Sequence, residues 1–405
     1  MIDIITKRLD NGALCCLIPK KDYVSKEAMI SFKYGSADIS FISEGKNITH
    51  PMGTAHFLEH KMFEDKHKDI TSFFSKLGLS VNAYTNFSTT AYYFTGCGNF
   101  YEGFKLLRDM VSQIYVTDEN IDSERSIIAQ EINMYNDDPY WQVYFNLLKA
   151  MYSQNPVRYS IAGSQKDIDH ITKETLEESY SNFYTYENCI IIGCGDIDAE
   201  NFFTQAENIT LNNADICKTS VSDTVKSHSI SAKMPVVKPL YNIGFRDNNL
   251  KSTIQDRICV NNIILNILFA KSSSLYEKLS SQGLANDNIA FEVLQGPSYS
   301  ASIIKGEGSA ERVLEQTLFY IKDLLKYGIP SETLERTIYK IKTDLLFASE
   351  NISAITDFTA DCYSKNTEVL DIYNNYDKID VDKILSVMEE QYTCDNAVIS
   401  VIEPL

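Results

Sequence analysis

Two histidines and a glutamate lie within five positions of the segment GTAHFLEHKMFED, at His56, Glu59 and His60. On a helix, residues four apart project from one face, so both imidazoles could bind one divalent metal ion. A zinc hydrolase needs three protein ligands, an open position for water, and a carboxylate that takes a proton from that water. This motif offers two ligands and the base. Two histidines at this spacing also occur on ordinary helices, but a Glu directly before the second His forms the inverted zincin signature.

A third ligand has to come from elsewhere, and the segment SERSIIAQEINMYNDDP is the best candidate source. Its residues Glu124 and Glu131 are seven positions apart, which places them two turns apart on one helical face. They could be solvated side chains beside an apolar stripe. They could also be a metal ligand and a carboxylate that orients a ligand.

The elements around these residues indicate a mixed architecture. Alternating apolar residues predict strands in NGALCCLIPKK and KEAMISFKYGS, and amphipathic periodicity predicts helices in NFYEGFKLLRDMVSQIY and ERVLEQTLFYIKDLLKYG. The stretch LGLSVNAYTNFSTTAYYFTG predicts a turn at Gly78 followed by a β-hairpin. We predict an α+β fold in which helices cover the sheets mainly on one face.

The chain repeats itself once. YTYENCIIIGCGDI begins at Tyr184 and YTCDNAVISVIEPL begins at Tyr392, an offset of 208 residues (392 − 184), and each follows a helical, charge-rich stretch. AMISFKYGS and PLYNIGFRD correspond at a similar offset. We predict two tandem homologous domains, each an antiparallel-rich sheet covered by helices. Residues 1–210 form the domain with the metal motif, 211–235 a polar linker, and 236–405 an inactive domain.

Composition narrows the class of partner. The 405 residues contain 55 acidic and 37 basic side chains, a net charge of −18, which argues against a nucleic-acid-binding surface. No apolar run approaches the roughly 18 residues that a membrane span needs, and no signal peptide is visible at the amino terminus. Nine cysteines without CxxC spacing indicate reduced thiols. We therefore predict a cytoplasmic protein without nucleic-acid or membrane partners.

HxxEH followed 71 residues later (131 − 60) by an acid, inside a duplicated α+β chain, closely resembles the M16 metallopeptidases. That family includes pitrilysin, insulin-degrading enzyme and the mitochondrial processing peptidase. The length and single duplication resemble its M16B branch of short chains that work as dimers, and EINMYNDDPYWQVYFNLLKAMY resembles that branch's bacterial processing-protease-like members. The resemblance implies that His56, His60 and Glu131 bind Zn²⁺, that Glu59 activates water, and that Glu124 orients a ligand.

The resemblance also implies where a peptide substrate would bind. In the family, the strand with the Asn-Ala-Tyr sequence is an exposed edge that pairs with the substrate backbone, and Asn82, Ala83 and Tyr84 occupy that place. Pairing of this kind uses main-chain hydrogen bonds and demands little of the substrate side chains. From the residues alone, the stretch is an ordinary hairpin.

One family segment is not kept. Where members carry a sequence like Arg-Glu-x-x-Gly-Leu-Ala-Tyr, this chain has SSSLYEKLSSQGLANDN, with Ser280 or Ser281 in place of the Arg and Asn286 in place of the Tyr. Neither Ser nor Asn offers a guanidinium fork or a phenol to a developing oxyanion. Either the chain is catalytically weak, or a homologous partner subunit supplies the missing pair in a heterodimer. The intact metal motif favours the partner.

Two functions therefore compete. The first is a zinc-dependent endopeptidase that cleaves peptides or unfolded segments, as the metal-bearing subunit of a dimeric processing protease. Its partner would be a homologous subunit in a heterodimer or a second copy of the chain in a homodimer. The second is a non-catalytic peptide-binding or scaffold subunit of the same family. Glu59 favours the first, because a protein that only binds peptides does not need a general base.

Overall fold

The structure, a computed structural model, describes residues 2–65, 68–219, 223–248, 250–286 and 288–405. The strands are β1 (Ile5–Arg8), β2 (Leu14–Pro19), β3 (Lys26–Phe32), β4 (Ser40–Ser43), β5 (Lys46–Thr49), β6 (Glu64–Asp65), β7 (Lys68–Asp69), β8 (Ser80–Thr85), β9 (Thr90–Gly96), β10 (Cys189–Gly195), β11 (Ile216–Lys218), β12 (Ser229–Met234), β13 (Leu240–Arg246), β14 (Ala290–Gln295), β15 (Ser300–Glu307) and β16 (Ala397–Pro404). The helices are α1 (Thr54–Lys61), α2 (Thr71–Lys76), α3 (Phe100–Val111), α4 (Asp118–Asp137), α5 (Pro139–Met151), α6 (Gln165–Ile168), α7 (Lys173–Phe183), α8 (Ala199–Ala206), α9 (Ile254–Phe269), α10 (Ser274–Ser281), α11 (Ala310–Tyr327), α12 (Ser331–Ala348), α13 (Ile352–Ser364), α14 (Val369–Asn375) and α15 (Val381–Gln391).

These elements form two compact units, and neither unit is a continuous piece of the chain. The first unit contains the chain up to Ile132 together with Ser160–Thr219 and Leu346–Glu368. The second unit contains Asn133–Tyr159, Ser220–Leu345 and Val369–Leu405. Each half of the sequence therefore contributes a helical segment to the other half's unit. The domain boundaries 1–210 and 236–405 describe homology along the sequence and stay a prediction.

The sheets of the two units share a five-strand topology, and the first sheet has β1 as an additional edge strand. The sheet of the first unit has the strand order β1-β2-β10-β3-β9-β8, and the sheet of the second has the order β12-β16-β13-β15-β14. In the first sheet β2 and β10 run parallel, in the second β12 and β16 run parallel, and all other neighbours run antiparallel. This match confirms the predicted duplication and the α+β class. A separate small sheet in the first unit has the order β11-β4-β5.

The repeated tyrosines occupy equivalent places in the two units. Each ends a helix, since the Tyr184 N–H donates to the last turn of α7 and the Tyr392 N–H to the last turn of α15. The Tyr184 hydroxyl is 2.6 Å from the hydroxyl of Tyr92 on β9, and the Tyr392 hydroxyl is 2.7 Å from Oγ of Ser302 on β15. Both rings are buried. A buried phenol needs a polar partner, and each sheet supplies one from its equivalent strand.

The prediction that helices cover the sheets mainly on one face is wrong for the central strands, because every residue of β10 and β13 is buried. In the first unit Glu27 of β3 contacts α13. The next residue, Ala28, is paired with Phe94 of β9, and Phe94 contacts Phe100 of α3. Successive residues of a strand point to opposite faces, so helices lie on both. In the second unit α5 and α11 pack on the sheet. Helix α13 packs in the first unit but comes from the second half of the sequence, and α5 packs in the second unit but comes from the first half. Local sequence patterns therefore did not reveal the helices on the second face of each sheet.

The predicted linker at 211–235 contains two strands, β11 and β12. In β12 exposed residues alternate with half-buried ones, and the strand runs parallel to β16 at the edge of the second sheet. One face of this edge strand is exposed to water, which explains part of the polar composition that indicated a linker.

No single helix in the described part of the chain is long and apolar enough to cross a membrane. Helices α9 and α10 satisfy that test only when they are taken together, as a pair bent by 41°. Most of α9 is buried, as is usual for the core helix of a folded domain.

A carboxylate lies in the core of the first unit and gives the fold a pH dependence. Glu27 is 0% exposed, and its side chain accepts hydrogen bonds from Ser353 (2.6 Å) and Thr356 on α13. Burial outweighs these hydrogen bonds and raises the pKa of Glu27. An acid whose pKa is higher in the folded state stabilises the fold at low pH, and this contribution is lost as the pH rises through that folded pKa.

Replacing Glu27 with glutamine should therefore stabilise the protein increasingly as the pH rises from 5 to 8. Glutamine keeps the size of the side chain and cannot ionise. We expect a gain of about 2–4 °C in melting temperature at pH 8, which corresponds to about 1 kcal/mol in a domain of this size. The measurement is thermal unfolding of both proteins at each pH. A constant difference between the two proteins across this range would contradict the assignment.

Candidate metal centre

The HFLEH motif lies on α1, which begins at a turn that requires glycine. Gly53 has a φ of 84°, and a Cβ at this position would lie 2.4 Å from the carbonyl oxygen of Ala162. The loop that contains Ala162 can therefore pack closely against the start of α1 only because Gly53 has no side chain. Phe57 and Leu58 are 0% exposed and anchor the helix in the core. The motif is thus held on a rigid element.

The structure brings three of the predicted residues together. Nε2 of His56 is 3.5 Å from Oε1 of Glu131, and Nε2 of His60 is 3.5 Å from Oε2 of the same carboxylate. One nitrogen of each histidine and one carboxylate oxygen all lie within 4.8 Å of one another. The two histidines come from α1 and Glu131 comes from α4, so the cluster joins helices that are distant in sequence.

This cluster fits a divalent zinc ion by distance and by donor type. Zinc bonds of about 2.0–2.1 Å in a tetrahedral site put neighbouring ligand atoms about 3.3 Å apart. The distance from each imidazole nitrogen to the Glu131 carboxylate, 3.5 Å, is close to this value. Two imidazoles and one carboxylate form a ligand set that catalytic zinc sites use, with a fourth position left open. The residues present can therefore hold the ion that the sequence predicts.

Glu124 holds the second histidine in orientation. Nδ1 of His60 is 2.8 Å from Oε1 of Glu124, so His60 donates through Nδ1 while Nε2 faces Glu131. Burial lowers the pKa of His60, but the hydrogen bonds to Glu124 and Glu131 outweigh burial and raise it to about 10. The surroundings of this ring thus favour positive charge, which a metal ion can supply in place of a proton.

A buried lysine that the sequence reading missed connects the two helices of the cluster. Lys61 is 0% exposed, and its Nζ lies 2.6 Å from Oε2 of Glu64 and 3.1 Å from the carbonyl oxygen of Asn120 on α4. The Asn120 side chain also donates to Glu64 at 2.9 Å. Lys61 therefore fixes α1 to α4 one residue after His60. The only sequence signal was the three-residue spacing of Lys61 and Glu64.

Glu59 lies beside the cluster and is 8% exposed. Burial raises its pKa, and this effect exceeds the opposing effects of His56 and of a hydrogen bond from Thr85. Oγ1 of Thr85 donates to Oε2 of Glu59 at 2.6 Å. Thr85 is a second residue that the sequence reading did not identify. Thr85 directly follows the Asn82–Tyr84 stretch, and this position was the one sequence feature that could have identified it.

Asn82, Ala83 and Tyr84 lie on β8, at the edge of the first sheet. They pair with β9 on one side, and no described strand pairs with the other side. Asn82 is exposed, and its Oδ1 accepts a hydrogen bond from the N–H of Ala83 at 2.9 Å. The Tyr84 hydroxyl is hydrogen-bonded to Asp357 of α13, which anchors the strand. The predicted edge position of these three residues is confirmed, while their binding role stays a prediction.

Ser280, Ser281 and Asn286 lie in the second unit, at the end of α10 and in the segment after it. All three are exposed. Oγ of Ser281 donates to the carbonyl oxygen of Lys278 at 2.8 Å, and Oδ1 of Asn286 accepts from the N–H of Asn288 at 3.0 Å. These contacts are local to the turn.

Helix α9 of the second unit carries two asparagines, Asn262 and Asn266, at the same four-residue spacing as the two histidines of α1. Nδ2 of Asn266 donates to Oδ1 of Asn262 at 3.0 Å. The two amides bond to each other, and amide groups are not among the ligands that zinc prefers.

Two protein-family models match consecutive parts of the chain. Residues 43–165 match the family model described as insulinase (peptidase family M16), and residues 170–340 match the model described as the peptidase M16 inactive domain. The sequence is 30% identical to the uncharacterized zinc protease YmfH of Bacillus subtilis, over 98% of this chain and 96% of that protein. It is 25% identical to the beta subunit of the mitochondrial-processing peptidase of Blastocladiella emersonii, over 47% of this chain and 39% of that subunit.

Solved structures agree with these matches. An M16-like peptidase from Alicyclobacillus acidocaldarius superimposes with a TM-score of 0.94 at 29% identity, covering 100% of this chain and 99% of that one. Pitrilysin superimposes with a TM-score of 0.78 at 17% identity, over 99% of this chain and 45% of its own, and so shows the fold alone. The resemblance seen in the sequence is thereby confirmed, and the chain belongs to peptidase family M16, the insulinase family.

Proposed function

We propose that this protein is a zinc-dependent endopeptidase that cleaves peptides or unfolded segments. The observation that carries the proposal is the convergence of His56, His60 and Glu131 beside the buried carboxylate of Glu59. A relative that matches nearly the whole chain is named a zinc protease, which supports the choice of metal and of reaction.

The chain's own residues would divide the work as follows. His56, His60 and Glu131 hold the ion, and Glu124 fixes the ring of His60. Bound zinc would supply Lewis-acid chemistry, polarising the scissile carbonyl and lowering the pKa of a water molecule. Glu59 takes the proton of the attacking water and returns it to the leaving amine.

The peptide would bind as an added strand along β8. The free side of this edge offers main-chain groups between Asn82 and Tyr84. The hydrogen bond from the Ala83 N–H to Asn82 is exposed to solvent, so a peptide carbonyl could replace the side-chain oxygen. Pairing through the main chain would let one site accept many extended sequences. A folded protein offers few free edges of this kind, which favours peptides and unfolded segments.

We further propose that the working form is a dimer with a homologous subunit in the cytoplasm. The positions where the family's Arg and Tyr are expected carry Ser280, Ser281 and Asn286. The side chains of Ser281 and Asn286 form hydrogen bonds within their own turn. A partner chain could supply the missing donors. The relative named as the beta subunit of a processing peptidase is consistent with such a division of roles. The cytoplasmic location is proposed because no disulfide joins any of the nine cysteines, all of which lie in the described part of the chain.

The partner proposal predicts a large difference between the chain alone and its complex. The chain should be purified from its native source, and any chain that co-purifies with it should be identified by mass. Hydrolysis of a quenched-fluorescent unstructured peptide is then compared between the chain alone and the chain in complex with its partner. Donors placed at a developing oxyanion are worth a factor of about 100, so we expect the complex to be faster by about that factor. Full activity of the chain alone, unchanged by a partner, would contradict the proposed partner. No hydrolysis in either preparation would favour a non-catalytic peptide-binding subunit.

A further inference from the structure

The last residue of the edge strand contacts the candidate general base directly. Thr85 ends β8, and its Oγ1 lies 2.6 Å from Oε2 of Glu59. The two residues are 26 positions apart in sequence and belong to a strand and a helix. Glu59 is nearly buried, so few water molecules can replace this hydrogen bond.

The direction of the hydrogen bond follows from the neighbouring groups. An ionised carboxylate only accepts, so the Thr85 hydroxyl must donate to Glu59. The alternative acceptor, Oγ1 of Thr90 on β9, is 3.4 Å away, and the Thr90 hydroxyl itself donates to the carbonyl oxygen of Tyr34 at 2.8 Å. The Thr85 hydroxyl therefore donates its hydrogen bond to the nearer acceptor, Oε2 of Glu59. Oε2 of Glu59 is thus engaged by Thr85, so proton transfer would use Oε1.

We propose that Thr85 is a positioning residue that fixes the carboxylate of Glu59 and aligns it with a peptide bound along β8. This inference rests on the proposed function. Thr85 directly follows Tyr84, so a peptide paired with residues 82–84 ends its pairing beside the residue that holds the base. Successive residues of one strand are about 3.3 Å apart, which leaves little freedom between peptide and base. The strand that binds the substrate therefore also orients the carboxylate.

The proposal separates the chemical step from peptide binding. Valine has the shape and the β-strand preference of threonine but no hydroxyl, so Thr85→Val should leave β8 intact and release the Glu59 carboxylate. Loss of one hydrogen bond to a charged group corresponds to about a 10- to 100-fold effect, and we expect kcat to fall by that factor. KM should change less than about twofold, because the main chain of β8 still pairs.

Four proteins test this inference: wild type, Thr85→Val, Thr85→Ser, and Thr95→Val as a matched change on β9 at a residue paired with Ser80. For each we would measure kcat and KM on the quenched-fluorescent peptide, zinc per chain, melting temperature, and the Kd of the same peptide for chelator-treated protein. We expect only Thr85→Val to be slow. Its zinc content and peptide Kd should match the wild type, and Thr85→Ser should restore most of kcat because serine keeps the donor.

Three results would overturn the inference alone: wild-type kcat in Thr85→Val, a Thr85→Ser protein as slow as Thr85→Val, or a loss of kcat that follows a loss of zinc or of peptide affinity. The last of these would show that Thr85 has a structural role. Absence of hydrolysis by the wild type, alone and with its co-purified partner, would instead remove the proposed function and this inference with it. The two failures are therefore distinguishable.

Discussion

Replacing Glu59 with glutamine should leave zinc bound and lower kcat for peptide hydrolysis by at least about 100-fold, the usual contribution of a positioned general base. Glutamine keeps the size of the side chain and can still accept the hydrogen bond from Thr85 through its carbonyl oxygen. It cannot accept the proton of water. Because Glu59 is not among the three clustered side chains that could hold the metal, metal content should stay at the wild-type level.

The matched control for this change is Glu119→Gln, which removes one carboxylate from an exposed position on α4. Its zinc content and kcat should equal those of the wild type. Hydrolysis of the peptide at successive concentrations and metal analysis of the same samples provide both readouts. If Glu59→Gln retained the wild-type kcat, another group would have to act as the base, and the assignment of Glu59 would be wrong.

Removing any one ligand should weaken zinc binding more than removal of an orienting partner, which typically costs 10–100-fold in affinity. His56→Ala, His60→Ala and Glu131→Gln each leave two of the three side chains that converge in the structure. The tetrahedral site then loses one of its three bonds between zinc and a side chain, and a water molecule is a weaker ligand in that position. Competition with a zinc chelator of known affinity measures the apparent Kd of each variant.

Two further variants calibrate this experiment. His170→Ala removes an exposed histidine whose Nδ1 bonds to the carbonyl oxygen of Lys166, and it should bind zinc like the wild type. Glu124→Gln should fall between the control and the ligand variants, because it keeps all three ligands and weakens the orientation of His60. Undiminished zinc affinity in all three ligand variants would show that the ion binds elsewhere.

Much of the fold could be predicted from the sequence because its signals are local. The four-residue spacing of His56 and His60 fixes their common face as soon as the segment is helical, and the seven-residue spacing of Glu124 and Glu131 does the same on α4. The repeated segments at Tyr184 and Tyr392 revealed equivalent strands because each ends a capped helix before a buried strand. These spacings and repeated segments depend only on the local helix or strand and not on how the rest of the chain packs.

The remainder depended on contacts between residues distant in sequence. The hydrogen bond from Thr85 to Glu59 and the link from Lys61 to Asn120 form only when a strand, α1 and α4 have packed together. The second helical layer on the first sheet was also hidden, because α13 comes from the other half of the chain. Local periodicity shows that one face of a helix is apolar, but it does not identify the sheet that covers that face.

The most direct test of the central claim is to return zinc to the chelator-treated protein while peptide hydrolysis is followed. The preparation should be the chain with any subunit that co-purifies with it, and Glu59→Gln should be titrated in parallel. We predict that hydrolysis by the wild type is absent after chelation and returns to a plateau at about one zinc ion per chain. Glu59→Gln should bind the same amount of zinc without regaining the rate. Hydrolysis that persists at its full rate after zinc has been removed would contradict the account.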